Sequence, residues 1–183
     1  MAVWQLDFKD VSTVPADPDG KRQHVVEVLD TVDMGTSILL HAQVRPDFTA
    51  ETALRAVADL VTQQGLPHAV MMDRDPRFVG AAQQRDFPSP FVRFWLCLGV
   101  AVTICPPRRP DLNAFVERYH RSFEYECVRI YRPHDLETAT VVTAAYQRFA
   151  QCGAPAPGAQ LWQSTTACGL SPTAHLGARA RIR

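Results

Sequence analysis

The sequence predicts an α/β domain in which a mixed sheet carries helices on both faces. Three observations predict it. Residues 3–44 hold three successive segments with strand character. Residues 48–150 then alternate helical periodicity with two short apolar runs. Finally, 46% hydrophobic and 21% charged residues in a chain of 183 are ordinary for one globular core.

The elements follow in order. In residues 3–8 (VWQLDF), Trp4, Leu6 and Phe8 share one face, and Val3, Gln5 and Asp7 share the other. That alternation reads as a strand with Asp7 on its more polar side. A turn-rich stretch with Pro15, Pro18 and Gly20 follows. Residues 24–33 and 36–44 are rich in β-branched residues and are divided by Met34-Gly35, which reads as a hairpin.

The period then changes. Ala50, Leu54, Val57 and Val61 recur at helical spacing over 48–64, with Asp47 or Thr49 able to cap the start and Gly65 to end it. The apolar run Ala69–Met72 reads as a buried strand ending at Asp73, and 79–88 reads as a loop. Ser89-Pro90 is a helix start, with Ser as cap and Pro in the first position. Phe91, Phe94, Trp95 and Leu98 make its apolar stripe, and Gly99 stops it. These aromatics and Trp4 read as core, not as platforms for stacked bases. Residues 100–105 form a further strand, closed by Pro106-Pro107. Residues 111–128 are helical, with Phe115, Tyr119, Phe123 and Cys127 every fourth residue. A last helix spans 135–150, capped by Asp135, with Leu136, Ala139, Val142, Tyr146 and Phe149 inward.

Residues 1–150 form the domain and 151–183 differ in kind. Seven of the last 33 residues are Pro or Gly and seven are Ala, and periodicity disappears, so this tail is expected to be poorly ordered. Residues 1–150 hold 16 basic and 19 acidic residues, a net of −3, whereas 151–183 hold three Arg and no acid. The main body therefore has no excess positive charge for nonspecific nucleic-acid binding. No apolar run of 18 residues occurs, which excludes a membrane-spanning helix. The first 20 residues lack the apolar stretch of a secretory signal. Five scattered Cys without a C-x-x-C pair fit reduced thiols in the cytoplasm.

Three acids occupy positions suited to a metal: Asp7 on a strand's polar face, Asp73 at a strand end, and Glu117 on a helix. Asn113 and Arg121 lie one turn to either side of Glu117 on the same face. Hard divalent cations take carboxylate oxygens, and two ions about 3.5–4 Å apart can activate a hydroxyl and stabilise a leaving oxygen. With 19 acids, such a trio is easily assembled, and spacing alone assigns most of them a solvated surface role.

Longer strings carry more. Around Asp7 the sequence reads W-Q-L-D-F-K-D, and around Asp73 it reads M-M-D-R-D-P-R-F. Around Glu117 it reads P-P-R-R-P-D-L-N-A-F-V-E-R-Y-H-R-S-F. Over residues 3–150 this resembles the integrase catalytic core of retroviral integrases and insertion-sequence transposases, most specifically in the third block. The resemblance implies a ribonuclease-H-like fold. It also implies a catalytic and metal-binding triad of Asp7, Asp73 and Glu117, with two Mg²⁺ or Mn²⁺ ions. The implied reaction is DNA phosphodiester hydrolysis followed by strand transfer from the freed 3′-hydroxyl, without a covalent protein–DNA intermediate. The implied partners are DNA and a second copy, or an intact transposase in a mixed oligomer; a membrane is not among them. Arg108, Arg109, Arg118 and Arg121 cluster at the start of the Glu117 helix, where they and His120 could contact phosphates. Pairing with Asp111, Glu124 or Glu126 accounts for the arginines as well, and packing accounts for His120.

The chain also departs from the family pattern. Asp73 and Glu117 are 44 positions apart, longer than in retroviral integrases, and the surplus falls in the loop at 79–88. Asp75 rivals Asp73 as second acid, and Asp10 and Asp30 are weaker rivals. Only six residues precede Asp7, so the helix-turn-helix region of such transposases is expected to be missing by truncation. The family's Arg-Pro-His-type segment is replaced after residue 149, as a shifted reading frame would do. The alternatives are a remnant that folds or dimerises without cutting, and a ribonuclease-H-like nuclease.

Overall fold

A computed structural model describes residues 2–11, 26–80, 88–106 and 113–152. Strands β1 (Val3–Asp10), β2 (Glu27–Asp33) and β3 (Ile38–Arg45) run antiparallel to one another in sequence. Strands β4 (Ala69–Met72) and β5 (Ala101–Ile104) add in parallel, giving the order β3-β2-β1-β4-β5. The predicted mixed five-stranded sheet is therefore present. The hairpin turns through Met34–Ser37, and the residue at positive φ is Ser37 (58°), not Gly35. Asp33 fixes this turn by accepting from Thr36 N and Oγ1.

Helices α1 (Ala50–Gln64) and α3 (Pro90–Cys97) cover one face, with a short turn α2 (Pro76–Val79) beside them. Thr49 caps α1 through a reciprocal capping box with Thr52, and Ser89 caps α3 by accepting from Val92 N. Gly65 ends α1 at φ 83°, and Gly99 follows α3 at φ 75°. The buried stripe of α1 is Ala53, Ala56, Val57 and Leu60; Leu54 and Val61 sit at its rim and Ala50 is exposed. The expected stripe is thus rotated toward Ala53 and Ala56. In α3, Phe91 and Trp95 are core and Phe94 is partly buried, while Leu98 is exposed past the last turn. Val79, expected in a loop, closes α2, and 81–87 lie outside the described residues.

The other face is covered by α4 (Ala114–Phe123), a π-helical turn (Glu124–Val128), α5 (Arg129–Tyr131) and α6 (Leu136–Cys152). The helical run thus extends beyond the expected 128. Residues spaced by four drift about 40° per step around an α-helix. The wider π turn slows that drift and keeps Cys127 buried in line with Phe123. Asp135 caps α6 by accepting from Thr138 N at 2.6 Å. Ala139, Val142, Ala145 and Tyr146 pack inward, whereas Leu136, expected inward, is exposed in the first turn. Gln147 and Gln151 donate to Leu39 and Leu40 carbonyls of the edge strand β3. This occupies groups that an open edge would leave to another chain. No helix among the described residues is long and apolar enough to cross a membrane. The tail from 153 lies outside the described residues.

Candidate active site

Asp7 lies in the middle of β1, on the face that meets α4. Its Oδ1 accepts from Phe8 N at 2.9 Å and its Oδ2 from Asn113 Nδ2 at 3.1 Å. Burial is the main cause that lifts its pKa from 3.8 to about 6. His120 opposes that rise, and the neighbouring charges of Asp73 and Asp30 add to it. Asp73, just past the end of the parallel strand β4, therefore stands near Asp7. Its own carboxyl is also raised, chiefly by burial, while a bond from Asp75 N (2.9 Å) holds it back. Asp7, within β1, and Asp73, just past the end of β4, are thus neighbours across the parallel register, and paired carboxylates raised in this way are what a cation would relieve.

Asp75 does other work. Burial alone would raise its carboxyl, but the fork of Arg77 brings it below the usual range. Arg77 Nε and Nη2 reach both Asp75 oxygens at 2.8 and 2.7 Å, and Nη1 reaches both Glu27 oxygens at 2.8 Å. The guanidinium also lies 3.6 Å over the Phe8 ring. Asp75 is thus spent on capping α2 and on Arg77, which leaves Asp73 as the acid of this segment that faces Asp7.

The start of α4 is held by β1. Gln5 is fully buried, and its Oε1 accepts from Val116 N at 3.0 Å. This supplies an acceptor to a helix terminus whose own Asn113 side chain makes no cap bond. Asn113 is turned toward Asp7 instead, which places that carboxylate near the positive end of the helix. Glu117 is half-buried in the first turn of α4, about 40° around the helix from Asn113.

His120 follows two turns after Asn113 on nearly the same side. Its Nε2 is 2.9 Å from Asp30 Oδ2, and its Nδ1 is 3.8 Å from Asp7 Oδ2. Asp30 is fully buried on β2, directly across from Asp7 in the antiparallel register. The sequence ranked Asp30 as a minor rival, and only strand register reveals it as a neighbour of Asp7. Arg118 and Arg121 are exposed on α4, Arg108 and Arg109 lie outside the described residues, and Asp10 ends β1.

The fold and these acids can be tested against a divalent metal. Asp7 and Asp73 fit, as two neighbouring hard oxygen donors whose charges oppose one another. Glu117 does not join them: among the described residues, no three His, Cys, Asp or Glu side chains converge as a metal-holding group.

The five-stranded mixed sheet with helices on both faces is the ribonuclease-H-like fold of integrase catalytic cores. The chain is similar to the catalytic core domain of BIV integrase, with 18% identity and a TM-score of 0.52 over 91% of this chain and 97% of that one. It is similar to the HTLV-2 integrase catalytic core domain in its trimeric complex with magnesium, with 13% identity and a TM-score of 0.54 over 80% of this chain and 82% of that one. In an intasome of simian T-cell lymphotropic virus bound to a PP2A regulatory subunit, the similar chain is 16% identical, with a TM-score of 0.50, and the match covers 99% of this chain and 58% of that one. No protein-family model and no curated protein matches the sequence. At these identities, the likeness establishes the fold.

Proposed function

We propose that this chain is a polynucleotidyl-transferase core of the transposase type that acts on DNA phosphodiesters. The observation that supports this reading is the juxtaposition of Asp7, within β1, and Asp73, just past the end of the neighbouring β4, in an integrase-core fold. Asp7 and Asp73 would hold Mg²⁺ or Mn²⁺, and the resemblance makes Glu117, half-buried on α4, the third acid. The metal would supply Lewis-acid stabilisation of the phosphodiester's developing charge. The chain's own part is to seat Asp7 through Asn113 and Phe8 N and to reserve Asp73 by engaging Asp75 with Arg77. DNA is the partner on this reading, with a second copy or an intact transposase completing the assembly. Exposed Arg118 and Arg121 on α4 offer cationic groups for phosphates.

A second reading, a folded remnant without cutting activity, is favoured by one observation: Glu117 stands apart from the two aspartates. One series separates them. The purified chain is melted with and without Mg²⁺ or Mn²⁺ beside Asp73→Asn, and then incubated with labelled duplex DNA. A cation that binds the folded state alone stabilises it by about 2.7 kcal/mol at one hundred times its Kd. The transposase reading expects that rise in the parent, its loss in Asp73→Asn, and joined DNA products. Nicks without joining point to a nuclease. A cooperative melt indifferent to metal, with no products, leaves the remnant.

A further inference from the structure

We propose that His120, braced by the buried carboxylate of Asp30, is a positioning residue that holds Asp7 in place. The proposal rests on the reading of Asp7 as a site residue and goes beyond it by naming what orients that carboxylate. Asp30 shares its face of β2 with Val28 and Val32, both in the core, while Lys9 and His41 act on it electrostatically from the neighbouring strands. It is fully buried, and its Oδ1 has no hydrogen-bond partner among the described residues. Burying a carboxylate costs more than a single hydrogen bond returns. Valine at this position would serve packing better, so stability does not account for the aspartate.

Geometry does. Asp30 Oδ2 and His120 Nε2 lie 2.9 Å apart, and that hydrogen bond fixes the ring's orientation. The other ring nitrogen is then turned to Asp7 Oδ2 at 3.8 Å. This is beyond hydrogen-bond range, and a ring carrying N–H on both nitrogens would attract both carboxylates across the half-buried site. A carboxylate that orients an imidazole toward a working group is a recurrent supporting arrangement around metal sites. His120 and Asn113 also bracket Glu117, so the same two anchors set how α4 lies against β1 and β2.

The test uses the full chain and three variants: Asp30→Val, Asp30→Asn and His120→Gln. Imidazole ¹⁵N shifts report the His120 tautomer, the ¹³C carboxyl shift reports Asp7, denaturant melts report stability, and titration with Mn²⁺ alone reports affinity. Asp30→Val is expected to be at least as stable as the parent, yet to lose the Nε2–H tautomer and move the Asp7 signal. Its Mn²⁺ affinity is expected to fall about 10–100-fold, the usual effect of removing such a support. Asp30→Asn keeps an acceptor for Nε2–H and is expected to restore the tautomer and most of the affinity. His120→Gln is expected to move the Asp7 signal and weaken Mn²⁺, and it carries the test if Asp30→Val does not fold. Unchanged Asp7 signal and affinity in either disrupting variant would overturn the brace. If the parent binds no Mn²⁺, the metal reading fails, and the tautomer and the Asp7 signal still decide the brace.

Discussion

Strand β1 serves two faces that are built differently. On one, Trp4, Leu6 and Phe8 meet a chain of rings. Phe8 stacks on Phe78 at 4.7 Å, Phe78 meets Phe91 at 4.8 Å, and Trp4 meets Trp95 edge-on at 6.3 Å. On the other, Gln5, Asp7 and Lys9 each meet a partner from the helical run opposite: Val116 N, Asn113 and Glu124. The first face is apolar and close-packed, so its stability scales with buried area. The second is a row of directed polar contacts, where two raised carboxylates are tolerated. Burial on the aromatic face offsets the cost of keeping charge on the polar one, so the domain can hold a reactive surface in place.

The largest expected effect breaks the aromatic face. Trp95→Ala removes a fully buried ring and is expected to cost about 4 kcal/mol, read by urea unfolding. The next effect sharpens the polar face. Asp7 binds its proton more tightly folded (about 6) than unfolded (3.8). The folded state therefore holds the extra proton between these values, and stability falls as pH rises from about 4 to about 6. Above that the loss is constant, at about 3 kcal/mol. Asp7→Asn in chelator is expected to be more stable than the parent at pH 7 and nearly equal to it at pH 4, with a shallower pH dependence in thermal melts. An equal slope for both chains would count against the burial of Asp7.

Arg77 ties α2 to the aromatic face through Asp75, Glu27 and Phe8. Arg77→Ala strands two mostly buried carboxylates and is expected to cost about 2 kcal/mol. It is also expected to weaken Mn²⁺ binding in a direct titration, by freeing the Asp73–Asp75 turn. Ser89→Ala removes a buried cap from α3 and is expected to cost about 1 kcal/mol, seen as a lowered Tm. Smallest is Arg55→Ala, which breaks an exposed i,i+4 pair with Glu51 and is expected to change stability by about 0.3 kcal/mol.

Much of the aromatic face was legible from residue order. Strict alternation in 3–8 assigned Trp4, Leu6 and Phe8 to one side, and Ser89-Pro90 located the start of α3. The misplacements share a cause. Leu98 and Leu136 match the apolar period but sit at helix ends, past the reach of the packed surface. Ala53 and Ala56 carry little hydrophobic signal, yet they lie in the buried stripe of α1. The π turn has no local signature, since it answers to the sheet beneath it. On the polar face, Asp7 and Asp73 were legible as carboxylates at strand positions. Asp30 was legible as a weaker rival within a strand but not as the residue facing Asp7, because that depends on β1–β2 register, which two separate strings of letters do not encode.

By itself, the sequence determined the kinds of element, their order and their main caps, because periodicity and capping are short-range properties of the chain. It also set the inventory of acids from which any site had to be drawn. Tertiary structure alone decided which acids meet. Pairing β1 with β2 and β4 brought Asp30 and Asp73 to Asp7 from 23 and 66 residues away, and docking α4 placed Asn113 and His120 over it. Carboxyl pKa values follow from burial and neighbouring charge, and both exist only once the sheet is formed.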